Sequence, residues 1–201
     1  MTDIIINLVV EDALSEAVVR EILRQSGRSF VIGSCSNRRG SGNIKNIISG
    51  LNNAAKGTPY FVLTDLDNIE CPLALISNWL PQQSRHPNLI FRVAVREVEA
   101  WVLAHRQAFS ELFGIPIQSI PINVDRIDDP KQFLVNLARK SKKRIIREAI
   151  VPATNSTAQI GKDYNGQLVQ FVHQTWKIDE AKSCSESLTR AINKIANFEP
   201  I

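Results

Sequence analysis

Residues 60–67 read YFVLTDLD. A run of β-favouring residues, Tyr60, Phe61, Val62 and Leu63, ends in Thr64 and then two carboxylates, Asp65 and Asp67. A continuous apolar run of that length fits a strand buried on both faces, as in a parallel sheet. In open α/β sheets the ligand site lies just beyond the carboxyl ends of the strands. An Asp-x-Asp there stands in a ligand position by placement alone. Residues two apart in extended chain point the same way, so both carboxylates are expected to converge on one cation.

The rest of the first half supplies the sheet's other members. IIINLVV at 4–10 reads as a first strand, followed at once by Glu11. Leu14, Val18 and Ile22 then form a helical stripe, with Asp12 as N-cap and Gly27 as the C′ residue. A short second strand is expected at 30–33, followed by the loop SCSNRRGSGN. Ile44, Ile47, Ile48, Leu51 and Ala55 mark a helix over 43–55. A proline-started helix is expected at 72–80. LIFRVAV at 89–95 is a fourth strand, followed by Arg96, Glu97 and Glu99, with helix continuing over 100–104. This alternation with short connections argues for an α/β fold with a mostly parallel, Rossmann-like sheet flanked by helices. Residues 1–105 form the expected core. Residues 106–201 read as a helix-rich extension packed on it, with helices at 130–140, 167–176 and 187–197 and a polar loop at 151–165.

Composition narrows the classes. With 44% hydrophobic residues the chain can bury a core. No apolar stretch approaches the roughly 18 residues of a membrane span, and MTDIIINLVVED has no basic leader region. The expectation is a soluble cytoplasmic protein with no membrane partner. Cys35, Cys71 and Cys184 show no zinc spacing and read as reduced thiols. The formal charge is +4, and residues 139–147, RKSKKRIIR, hold six basic side chains and no acid. Lys140, Lys142, Lys143 and Arg144 there are candidate phosphate contacts, or else a solvated helix face. Arg38 and Arg39 precede a Gly-Ser-Gly turn at a helix N-terminus, where backbone N–H groups suit a phosphate. Lys162 and Tyr164 reach a phosphate only if their loop folds over the sheet edge. A triphosphatase loop is absent, since RRGSGN lacks the lysine of GxxxxGK[ST].

Three acidic groups each follow a strand directly: Glu11, then Asp65 and Asp67, then Glu97 and Glu99. In a parallel sheet those ends share one edge. Carboxylates packed together repel and raise one another's pKa; a divalent cation removes the conflict, and magnesium prefers oxygen ligands. Any one of these acids could instead cap a helix. Glu97 and Glu99 diverge by roughly 200° if the helix has begun, so one is expected to bind and the other to pair with Arg96 or a neighbouring base. Trp101 reads as core.

These residues carry a resemblance. Glu after the first strand and Asp-x-Asp after a later one resemble the Toprim domain of topoisomerases, primases, OLD-type nucleases and recombination proteins. VAVREVEAWVLA at 93–104 looks like the Arg-Glu-x-Glu-Ala-Trp signature of a small bacterial Toprim-related family of unknown function. DPKQFL at 129–134 and the SESL helix start are also similar to it. The resemblance implies Mg2+ or Mn2+ held by Asp65 and Asp67, with Glu11 as acid/base or shared ligand. Glu97 or Glu99 joins the ligand set by its place after the fourth strand, and Arg96 joins Glu11 in the catalytic set as a group that offsets substrate charge. It implies a phosphodiester-cleaving nuclease, bacterial defence association, nucleic acid as partner and a partner protein from the same operon. The helical second half offers further options: covering the site, a dimer interface that would make a homodimer, or binding a partner. Two departures stand out: Asp12 where Toprim proteins usually have glycine, and His105 where an aspartate is expected. They leave open a non-catalytic module that binds nucleic acid or protein. A phosphorylation-dependent receiver domain is the weaker alternative, because it needs a Ser or Thr after the fourth strand and a lysine after a fifth.

Overall fold

The computed structural model describes residues 3–81 and 84–201. Four strands, β1 (Ile4–Val10), β2 (Phe30–Asn37), β3 (Tyr60–Asp65) and β4 (Leu89–Ala94), form one sheet. Its order is β2-β1-β3-β4, and every pairing is parallel. The crossovers are α1 (Ala13–Gln25), α2 (Ser41–Ala54) and α3 (Pro72–Trp79). Local chemistry starts each of the outer two: Asp12 accepts from Ser15 N at 2.8 Å to cap α1, and Pro72 opens α3. Gly27 adopts φ +73° just past α1, the left-handed stop that a residue without Cβ takes at least cost.

Alternation along each strand divides the core into two layers. Val9, Val62, Phe91 and Val93 face α2 and α3, packing with Ile44, Ile48, Leu75 and Trp79. Leu8, Val10, Phe61, Leu63, Ile90 and Ala94 face the other way, toward Leu14, Val18 and Ile22 of α1. The second half of the chain adds its helices to that layer. They are α4 (Val98–Leu103), α5 (Arg106–Phe113), α6 (Pro130–Arg139), α7 (Arg144–Ile150), α8 (Tyr164–Gln174), α9 (Ile178–Ala181) and α10 (Glu186–Ala196). Their buried side chains, among them Trp101, Phe109, Phe171, Trp176 and Ile195, are continuous with those under α1. Trp101 is core, as its neighbours in sequence require.

Several boundaries differ from the sequence expectation. β2 runs on through Asn37 rather than stopping at Gly33, because Cys35, Ser36 and Asn37 pair with Leu8, Val9 and Val10 after a bulge. Pairing to a central strand overrides a glycine- and serine-rich composition. The first residue of α8 is Tyr164, which the sequence places in a loop. Among the described residues no helix is long and apolar enough to cross a membrane, and the sheet ends at β4, with no fifth strand to carry a receiver-type lysine.

Candidate active site

Because β1, β3 and β4 are parallel neighbours, their carboxyl ends reach one edge together. Glu11 follows β1, Asp65 closes β3, and Glu97 and Glu99 open α4 after β4. The first two are joined directly. Glu11 Oε1 accepts from the Thr64 hydroxyl and from Asp65 N, the latter at 2.8 Å. Asp65 Oδ1 in turn accepts from Val98 N at 2.9 Å. Asp65 therefore satisfies one of the backbone donors that a helix start leaves unpaired, and this fixes α4 against β3.

Burial dominates the electrostatics. Asp65 is 9% exposed and Glu99 only 2%. Desolvation, then the neighbouring Glu99 and Glu11 carboxylates, hold Asp65 well above the ordinary aspartate range. Desolvation lifts Glu99 to about 7 despite the opposing Lys131 ammonium. Glu11 is raised by burial against the lowering effect of its bonds to Thr64 and Asp65 N. Asp67 is raised by partial burial and by Glu97. Among the described residues, Glu11, Asp65 and Asp67 form no ion pair.

Glu97 and Glu99 do not divide as expected. Both converge on Lys131, the second residue of α6: its Nζ lies 2.9 Å from Glu97 Oε1 and 3.4 Å from Glu99 Oε1. Its backbone N also donates to Glu97 Oε2 at 2.8 Å. The reason is backbone geometry. Glu97 is the extended N-cap of α4, so its side chain turns outward from the helix start while Glu99 turns inward. A flexible ammonium with three donors spans the gap. The buried Tyr164 hydroxyl completes the set, donating to Glu99 Oε1 at 3.2 Å. Tyr164 thus reaches the sheet edge, but as part of the core and bonded to an acid. Lys131 lies within DPKQFL, and its place as the second residue of a proline-started helix is the sequence signal for it.

Arg96 pairs with neither glutamate. Its guanidinium donates to the carbonyls of Asp67 and Ile69 at 2.9 and 3.1 Å. Asp67 does not continue the extended strand, which ends at Asp65; it has φ +50° and Arg96 has φ +55°. Asp67 N donates to Arg96 O at 2.9 Å. Two left-handed residues, each costly for a side chain with Cβ, therefore lock the two loops together. Asp67 is carried onto an exposed rim, where it lines a polar cavity of about 150 Å³ with Asn68, Arg96, Glu97, Asp128 and Asp129.

The candidate phosphate contacts fall into two groups. Arg38 N and Arg39 N donate to Val10 O and Glu11 O, both at 2.8 Å, which sets these exposed residues beside Glu11. The basic run lies elsewhere. Lys140 and Lys142 are exposed, Lys143 Nζ donates to Glu111 O at 2.8 Å, and Arg144 pairs with Glu148 at 2.6 Å. Lys162 joins Arg139 and Arg147 around a cavity of about 660 Å³ that no strand-end acid lines. His105 is neither a surface group nor a donor beside the carboxylates: it is buried and its Nδ1 accepts from Lys177 N at 3.2 Å.

Among the described residues no group of three or more His, Cys, Asp or Glu side chains is gathered closely enough, as arranged, to hold a metal ion. The rotamers explain this: Glu11 and Asp65 turn one oxygen each to backbone N–H groups, and Glu97 and Glu99 face Lys131. In donor chemistry, however, Glu11, Asp65 and Asp67 suit a hard dication, being oxygen-only, raised in pKa and in no direct ion pair, with Lys131 the nearby cation that opposes the rise at Asp67. Comparisons with protein-family models, with curated proteins and with solved structures found no match for this chain.

Proposed function

We propose that the chain is a Toprim-like, magnesium- or manganese-dependent enzyme that cleaves nucleic-acid phosphodiesters, most simply a nuclease. The observation that carries the reading is the meeting of Glu11 and Asp65, from separate strands, with a buried carboxylate that no cation contacts directly. Glu11, Asp65 and Asp67 would hold the cation, with Glu97 joining only on exchange of Lys131. The cation would supply Lewis-acid polarisation of a phosphoryl oxygen and activation of water. Glu11, raised by burial, serves as acid/base from its place beside Thr64. Arg96 holds the 67–69 loop through its carbonyls, which makes it a positioning residue in this arrangement. Arg38 and Arg39 stand where they can meet substrate phosphates. The basic surface at 139–147 with Lys162 would extend the contact to a longer nucleic acid. Defence association and a partner protein belong to the same reading through the family resemblance alone, and a homodimer through the helical second half as a dimer interface.

Purified wild type should cleave single- or double-stranded DNA or RNA when magnesium or manganese is added, and Asp65→Asn should not. Equal cleavage by the two preparations would remove the catalytic assignment. One observation favours the second reading, a non-catalytic binding module: Lys131 already neutralises Glu97 and Glu99 from within the fold. On that reading nucleic acid binds without turnover, and Asp65→Asn binds it as well as wild type does.

A further inference from the structure

Arg92 stands in the middle of β4, an apolar edge strand, opposite Leu63 of β3. Its Nε is the one buried side-chain nitrogen or oxygen without a hydrogen-bond partner among the described residues. No acid pairs with its guanidinium there either. Arg85 and Arg190 lie close enough to act on it, and Arg190 already has Glu186 as its partner. Burial, with Arg85 and Arg190 nearby, pulls Arg92 down to about 10, and burial, then Arg92 and Arg85, lowers Lys194. A buried donor left unpaired in this way is a net cost to the fold.

Beside it runs a groove of about 370 Å³ between α3, β4 and α10. Pro72, Leu73, Ile76, Phe91, Val93 and Val95 supply apolar walls, and Arg92 and Arg190 also line it. Leu73 is 74% exposed at the opening. The acids on its lining are already engaged: Asp125 accepts from Ser185 and from Ser187 N, and Glu186 pairs with Arg190. None of the strand-end acids lines it. A volume in the range of small-ligand pockets, apolar walls and one uncompensated guanidinium fork define a narrow chemistry.

We propose that this groove is a binding site for a carboxylate carried on an apolar body, either a small organic acid or the free C-terminus of a peptide ending in an apolar residue. The carboxylate takes two donors of the Arg92 fork, and the apolar body lies along Leu73, Ile76 and Val93. The guanidinium selects charge and planarity, and the walls select against inorganic anions.

The test uses the full chain in calorimetry and thermal-shift measurements with five probes. They are 3-phenylpropionate, its neutral amide, inorganic phosphate, and an acetylated peptide ending in leucine with a free or amidated terminus. The acid, the free-terminus peptide or both should bind at least about tenfold more tightly than the matching amide and than phosphate. The arm that binds identifies the source. Arg92→Met should abolish this binding and melt at a higher temperature than unliganded wild type, because it replaces a half-buried charge that has no ion pair and an unpaired Nε with an apolar side chain of similar volume. Acid and amide binding alike, phosphate binding as tightly as the acid, no probe binding at millimolar concentration, or Arg92→Met binding unchanged would overturn the proposal. Should Arg92→Met not fold, the acid-against-amide comparison on wild type decides it.

Discussion

At the scale of single residues, Asp65 and Glu99 are the acids of the site that folding withdraws furthest from water. Their titration ties site to stability. Glu99 holds its proton to about 7 when folded, against an ordinary value of 4.5. Between those values the unfolded chain releases a proton that the folded chain keeps, so stability falls as pH rises. For Glu99 the loss from pH 4.5 to above 7 is on the order of 3 kcal/mol, and Asp65 shifts the same way. Urea unfolding across that range, without divalent cations, should show the decline, and Glu99→Gln should flatten it. A profile that rises instead would contradict the burial argument. Lys131 makes a separate prediction. Lys131→Met leaves Glu97 and Glu99 without their shared counter-charge. With Lys131 about a third exposed, the expected cost is about 2 kcal/mol, below that of a fully buried pair. Chemical denaturation at pH 7 measures it.

At the scale of elements, Ser187 is the joint of the second half. Its hydroxyl accepts from Trp101 Nε1 at 2.7 Å and from Val95 N at 3.3 Å, so α10, α4 and the end of β4 meet on one oxygen. Ser187→Ala strands a buried indole N–H and should cost about 1–3 kcal/mol by urea denaturation. The elements themselves differ in how plainly the sequence announces them. β1, β3 and β4 are apolar runs closed by acids, α2 has an unbroken helical stripe, and Asp12 and Asp129 are caps followed by helix. Those signals are local. The second half of β2 is not legible, because Cys35 to Asn37 become strand only by pairing with β1. Asp67 is illegible for a similar reason: its left-handed backbone is held by contacts from Arg96, 29 residues away.

At the scale of the whole molecule, the parallel sheet turns separated acids into neighbours. That much follows from strand order, and the sequence already implied it through three acidic groups after three apolar runs. It did not imply which partners those acids would take. Lys131 and Tyr164 reach Glu97 and Glu99 from α6 and α8, and only packing of the second half brings them there. The same packing joins the two halves in one core. Deleting residues 164–201 would uncover Leu14, Val18 and Ile22 of α1, which pack in one cluster with Leu168, Phe171, Leu188 and Ile195. The truncated chain should bind a hydrophobic dye and lose its cooperative unfolding transition; an intact transition would contradict the packing described. The central claim is that Glu11, Asp65 and Asp67 share a divalent cation. Calorimetric titration of manganese into wild type and into Asp65→Asn, both checked for native circular dichroism, tests it most directly. Wild type should show saturable binding that Asp65→Asn weakens at least about tenfold, as loss of a charged oxygen ligand requires; folded wild type that binds no manganese, or an Asp65→Asn variant that binds it equally well, would contradict the account.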